Sequence, residues 1–256
     1  MSLTSLALKI AAPVPQPEQF QRYLFIGPHP DDIEIGAGAT VAQLVQEGKQ
    51  VSFLICLDGR FGMENMTEEI TPEELIEIRR KESIAGAKAL GVEDVHFLGL
   101  SDGGFYKNKD LLRGMARVIG ETQPQILFAP DPFVASECHV DHLNTGTAAR
   151  RLAFCAPFAE IMSKLGAKSA PVEAIAFYMT ARPNRYVKTA GKLKVQSKAI
   201  RCHRSQFPEE SEALRSVELY LKIRAMDFGL RSLKGCAEGF RVLGKTQMHC
   251  LPEAGK

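Results

Sequence analysis

The stretch YLFIGPHPDDIEIGAGATVAQLVQEG, Tyr23 to Gly48, decides the fold. It opens on a short apolar run, Tyr23 to Gly27, and passes through a loop of prolines and acids. It closes on an amphipathic segment, Ala37 to Glu47, that stops at Gly48, a residue suited to a helix C-terminus. A strand-like run followed by a helix-period segment is the repeating half of a βαβ unit, and the pattern continues down the chain. VSFLICL (Val51 to Leu57), VHFLGL (Val95 to Leu100), QILFAP (Gln125 to Pro130) and EAIAFYM (Glu173 to Met179) read as further strands. Helices are expected after Thr71, from Lys109 to Glu121 and from Val140 to Phe154. Thr71-Pro-Glu-Glu supplies an N-cap, a proline at the first helical position and a glutamate at the capping-box position, and that helix should run to Leu90 and stop at Gly91.

Five strands with intervening helices predict an α/β fold, a Rossmann-like doubly wound and mostly parallel sheet with helices on both faces. From Lys192 the pattern becomes helices interrupted at Phe207-Pro208 and at Gly229, then a tail containing GFRV, which reads as a helical and short-strand extension. Residues 1–21 read as an N-terminal arm, 22–250 as a single domain and 251–256 as a tail.

Composition narrows the function. The chain has 256 residues, 32 Lys plus Arg against 30 Asp plus Glu, and a net charge of +2, too balanced for a nucleic-acid protein. No stretch approaches the roughly 18 apolar residues of a membrane span. Six cysteines are scattered with no CxxC pair and no secretory signal precedes them, which points to a reducing cytoplasm. Tryptophan is absent and aromatics make up 7%, so a long stacking platform is excluded and a small-molecule substrate is favoured.

In an open parallel sheet, ligands bind at the carboxyl ends of the strands where strand order reverses, here between the first and fourth strands. Each is followed by a cluster of metal-ligand residue types, GPHPDD (Gly27 to Asp32) and ECHVDH (Glu137 to His142). Imidazole and carboxylate suit zinc, whose catalytic sites keep one position for water. His29 and Asp32, three apart in a tight turn, can face one point as ligands, while Asp31 points elsewhere and is free to act as general base. His139 and His142 share a face, and a catalytic site wants only three protein ligands, so one of them is spare. Spacing leaves open which.

These motifs resemble the PIG-L/LmbE-type zinc N-deacetylases, and EIRRKESIAGAKALGV, FLGLSDGGF, ILFAP, SQF and AEGF also fall in that family's order. The resemblance implies zinc held by His29, Asp32 and His142, with Asp31 as general base. It implies that His139 stabilises the oxyanion or protonates the leaving amine, that Asp141 orients His139, and that Arg79 lies near the active site. Departures are Pro28, Cys138 and Val140, where the family commonly has alanine, arginine and proline. The implied activity is removal of an N-acetyl group from a small N-acetylglucosamine-type conjugate by a metal-activated water.

Two rival readings are a zinc hydrolase of another amide or ester and an NAD-binding oxidoreductase. The latter would use the Gly36-x-Gly38 pair, which lies well beyond the strand end and lacks a third glycine. His96, His203 and His249 read as structural or surface residues, and Asp102 as either a helix cap or a substrate contact. Arg182 to Arg204 carries eight Lys or Arg and no acid. If that run borders the crevice, an anionic amino-sugar substrate is favoured. A homo-oligomer is compatible with the family, and no heptad specifies one.

Overall fold

The computed structural model describes residue 7 and residues 10–62 and 70–249. After a short 3-10 turn at Pro17–Gln19, the elements run β1 (Arg22–Gly27), α1 (Asp32–Gln46), β2 (Gln50–Leu57), α2 (Pro72–Leu90), β3 (Asp94–Leu100) and α3 (Asn108–Thr122). They continue with β4 (Ile126–Pro130), α4 (Val140–Cys155), α5 (Ala159–Lys164), β5 (Ala174–Tyr178), β6 (Arg185–Lys188), α6 (Leu193–Ile200), α7 (Glu212–Ser232) and β7 (Ala237–Gly244).

The sheet order is β3-β2-β1-β4-β5-β7-β6, parallel through β5 and antiparallel where β7 pairs with β5 and β6. The reversal expected between the first and fourth strands is present, with Tyr23 beside Ile126 and Phe25 beside Phe128. Alternate residues of β1 feed two cores. Tyr23 and Phe25 pack with α1 and α2, whereas Leu24 and Ile26 pack with α3 and α4. Burial on both faces is why the central strands read as unbroken apolar runs. The Thr71 hydroxyl accepts from Glu74 N and Glu74 answers to Thr71 N, so α2 begins with the reciprocal cap read from the sequence.

Two sequence expectations are corrected. The first helix starts at Asp32, not Ala37, because side chains from elsewhere support a glycine-containing first segment that local propensity would leave as loop. Gln196 Nε2 donates to the carbonyls of Glu34 (2.9 Å) and Ile35 (3.2 Å), while Glu238 accepts from Ala39 N (3.3 Å) and Thr40 N (2.7 Å). Second, Gly229 does not interrupt the last helix. It lies inside α7, where a Cβ would overlap the Gly235 carbonyl oxygen. Gly229→Ala is expected to destabilise the protein by about 3 kcal/mol or more, since the clash is with backbone, and urea unfolding checks it.

Burial pushes the Glu238 carboxyl up to about 7, against the donors from Thr40, Ala39 and Gln196. A carboxyl raised above its unfolded value of about 4.5 contributes stability that is complete below that value and lost as pH rises through about 7. Between pH 4.5 and 8 the wild type should therefore lose on the order of 3 kcal/mol relative to Glu238→Gln, whose side chain does not titrate. A pH-independent difference in unfolding free energy would contradict this.

The expected tail, 251–256, lies outside the described residues. Within the expected arm, the carbonyls of Val14 and Pro15 accept from Arg185 on the edge strand β6. Among the described residues, five cysteines are free and no helix is long and apolar enough to cross a membrane.

Candidate metal centre

Gly27 ends β1, and the chain turns sharply to place His29 against the start of α1. His29 N donates to Asp32 Oδ2 at 2.8 Å, and His29 Nδ1 lies 3.2 Å from the same oxygen. Across the crevice, α4 begins at Val140 behind an N-cap at His139. Its first turn brings His142 Nε2 within 3.4 Å of Asp32 Oδ1. The rings of His29, His139 and His142 have centroids 4.7 to 5.4 Å apart. One nitrogen from each lies within 4.8 Å of the others, a grouping that could hold a metal ion.

The far sides of two imidazoles are tied to carboxylates. His29 Nε2 lies 3.0 Å from Asp141 Oδ2, and His142 Nδ1 lies 3.0 Å from Glu137 Oε2. Carboxylate behind imidazole is the arrangement that orients histidine toward a metal and raises its basicity. Asp141 was expected to orient His139, but its carboxylate stays 3.8 Å from His139 Nδ1 and is engaged by His29 and by the N–H groups of Gly103 (2.7 Å) and Gly104 (2.9 Å). His29 and the Gly103 N–H both engage Oδ2, the oxygen nearest His139, and hold the carboxylate in place. The Asp141 backbone N–H instead donates to His139 Nδ1 at 3.3 Å, which puts the proton of a neutral ring on Nε2. Glu137 was not assigned from the sequence, although it stands in the ECHVDH cluster. Its signal was the spacing of five to His142, which crosses a helix cap and so follows no helical period.

The electrostatics favour positive charge here. Burial would lower the His29 pKa, yet Asp141 and Asp32 raise it to about 10. Burial would raise Asp32, but His142 and His29 hold it well below the usual carboxylate range. Burial likewise opposes the lowering of Asp141 by His29 and the Gly103 and Gly104 amides. Nitrogen and carboxylate donors, with no thiolate in the group, fit a borderline divalent cation such as zinc.

Asp31 is the N-cap of α1 with φ 100°, a left-handed conformation uncommon for a residue with a Cβ and concentrated at functional sites. The turn directs its carboxylate at Arg79, Oδ2 to Nη2 3.4 Å. Burial pushes Asp31 up to about 6, with Arg79 opposing. Arg79 is 4% exposed and donates to the carbonyls of Gly59 and Pro30, both at 3.0 Å. A Cβ at Gly59 or Gly62 would stand 2.5 or 2.6 Å from its Nη1, so both glycines make room for the guanidinium. Asp102 Oδ2 accepts from Phe61 N at 3.3 Å, and its buried Oδ1 has no partner among the described residues.

The remaining candidates fall elsewhere. Gly36 packs on the Tyr178 ring, which a Cβ would run into at Cδ2, and Gly38 packs on Gln196. Close packing accounts for this pair. His203 is fully buried against Glu34 at 3.1 Å. Within the basic run, Arg201 pairs with Glu218, Arg204 with Glu209, and Arg185 bonds to backbone carbonyls.

A parallel sheet with imidazoles and carboxylates gathered at its reversal point defines a class, and comparison with known proteins places the chain in it. Residues 24–153 match the model of the PIG-L family, described as GlcNAc-PI de-N-acetylase, and the chain belongs to that family. It is 32% identical to diacetylchitobiose deacetylase of Thermococcus kodakarensis over 98% of this chain and 93% of that one. It is also similar to the solved structure of N,N'-diacetylchitobiose deacetylase from Pyrococcus horikoshii in complex with an inhibitor. The TM-score is 0.87 and the identity 28%, covering 98% of this chain and 97% of that one. A 1D-myo-inositol 2-acetamido-2-deoxy-alpha-D-glucopyranoside deacetylase of Kineococcus radiotolerans is 35% identical over 45% of this chain and 33% of its own length.

Proposed function

We propose that the protein is a zinc-dependent hydrolase that removes the N-acetyl group from a small N-acetylglucosamine-type conjugate, with His29, Asp32 and His142 as metal ligands. The observation that supports the reading is that Asp32 lies 3.2 Å from His29 and 3.4 Å from His142, with each imidazole backed by its own carboxylate, Asp141 and Glu137. The names of the full-length relatives supply the substrate class. When bound, zinc supplies Lewis acidity, polarising the acetyl carbonyl and lowering the pKa of a water toward about 7.

The chain's own residues do the rest. Asp31 accepts the proton of the attacking water at its carboxylate, whose raised pKa suits a base working near neutrality. Arg79 keeps that carboxylate turned from the ligand group. His139, whose Nδ1 accepts from the Asp141 backbone N–H, offers its Nε2 proton to the carbonyl oxygen as negative charge develops. As the C–N bond breaks, the departing nitrogen takes the proton that Asp31 accepted from the water, which leaves acetate and a free amine and restores the carboxylate.

Acetate release tests the reading across N-acetylglucosamine, N,N'-diacetylchitobiose, N-acetylglucosaminides with and without an anionic aglycone, and a simple acetyl ester. Acetate from the amino sugars, lost on chelation and restored by zinc, is expected. Turnover indifferent to chelation, or confined to the ester, would overturn it.

A further inference from the structure

We propose that Phe61 and Phe105 form a subsite for the apolar face of a second sugar ring, the one attached to the N-acetylglucosamine unit that is deacetylated; this rests on the deacetylase reading above. Phe105 is 75% exposed and Phe61 55% exposed, yet the two rings meet edge to face at 5.7 Å and 66°. They come from separate loops, after β2 and after β3, on the side of the sheet that carries the metal ligands.

Both rings are rooted in the site. A Cβ on Gly103 would stand 3.2 Å from Phe105 and 3.4 Å from Phe61, so the pair rests on this glycine, whose φ is 69°. Gly103 N donates to Asp141, which in turn holds His29. Two residues, Gly103 and Asp141, joined by two hydrogen bonds, therefore link the aromatic pair to the His29 imidazole. Phe61 N donates to Asp102, whose second oxygen is buried and unpartnered among the described residues. Next to Phe61, Arg60 is held by Asp58 at 2.6 Å, a charged rim beside an apolar floor.

The chemistry selects a pyranose. A β-linked sugar presents axial C–H groups on its faces, which pack on aromatic carbon, and hydroxyls at its rim, which need polar partners. The tilted rings make a corner one sugar wide, unlike the flat run of rings that a polysaccharide track requires. Phe133, another exposed aromatic on this side of the sheet, is flanked by the Arg150 and Arg241 guanidinium groups at 5.0 and 4.7 Å, so its surroundings are cationic and not an aromatic pair. Phe61 and Phe105 have each other's edges and open faces.

The test compares kcat/KM for N,N'-diacetylchitobiose with that for N-acetylglucosamine in the wild type, Phe105→Ala, Phe61→Ala and Phe105→Tyr. The wild type should prefer the disaccharide, and either alanine variant should reduce that preference by ~10-fold or more, chiefly through KM, with tyrosine restoring it. Equal use of the two sugars by the wild type, or parallel losses on both in the alanine variants, would overturn the subsite. If the wild type releases acetate from neither these sugars nor the N-acetylglucosaminides named above, the deacetylase reading fails by itself. Calorimetry with the non-acetylated disaccharide then decides the subsite: binding weakened by Phe105→Ala supports it, and binding unchanged by it overturns it.

Discussion

Asp31→Asn is expected to lower turnover by about 10²- to 10⁴-fold, the usual contribution of a positioned general base, while zinc content stays at the wild-type level. The substitution isolates the proton-accepting role. Asparagine tolerates the left-handed backbone that aspartate adopts here at φ 100°, so the turn into α1 is kept. The side-chain amide can still accept from Arg79 but cannot take a proton from water. Single-turnover kinetics with metal analysis of the same sample check it. Wild-type turnover would remove Asp31 from the mechanism, and lost zinc would recast it as part of the metal site.

His142→Ala should fail the other way, losing metal first and activity in consequence. The imidazole faces Asp32 at 3.4 Å and is fixed by Glu137 at 3.0 Å, so truncation removes one donor and strands a carboxylate built to support it. Loss of a supporting carboxylate alone costs about 10- to 100-fold in metal affinity, and loss of the imidazole should cost more. Alanine is a good helix former in the first turn of α4, so the fold is expected to persist. Equilibrium dialysis against a zinc buffer reads the affinity. Undiminished zinc binding would remove His142 from the ligand set, and its loss in His139→Ala would then put His139, whose nitrogen also clusters with that of His29, in its place.

The legible part of this molecule was what local chemistry and topology decide together. Alternation of apolar runs and helical segments is sufficient to place β1 beside β4, and the loops that carry His29 and Asp141, 112 residues apart, then share one crevice. The Thr71–Glu74 cap was readable because both partners lie within one turn. What escaped depends on distant partners. The first segment of α1 is supported by Gln196 and Glu238, 162 and 198 residues away, and no window of sequence contains that information. β6 is four residues long and joins the sheet only through β7, which inserts between it and β5 in the antiparallel sense. Asp141 was read as the partner of its neighbour His139; that its carboxylate also engages the much earlier His29 is a contact no local spacing announces.

The central claim is that one cation is gripped by both loops. Anomalous diffraction from zinc-loaded crystals at the zinc absorption edge tests it most directly. The account predicts a single strong peak bonded to His29, Asp32 and His142, with solvent in the remaining position and Asp31 unbonded. A peak bonded by only one of the two loops, or closed by a fourth protein donor, would contradict it.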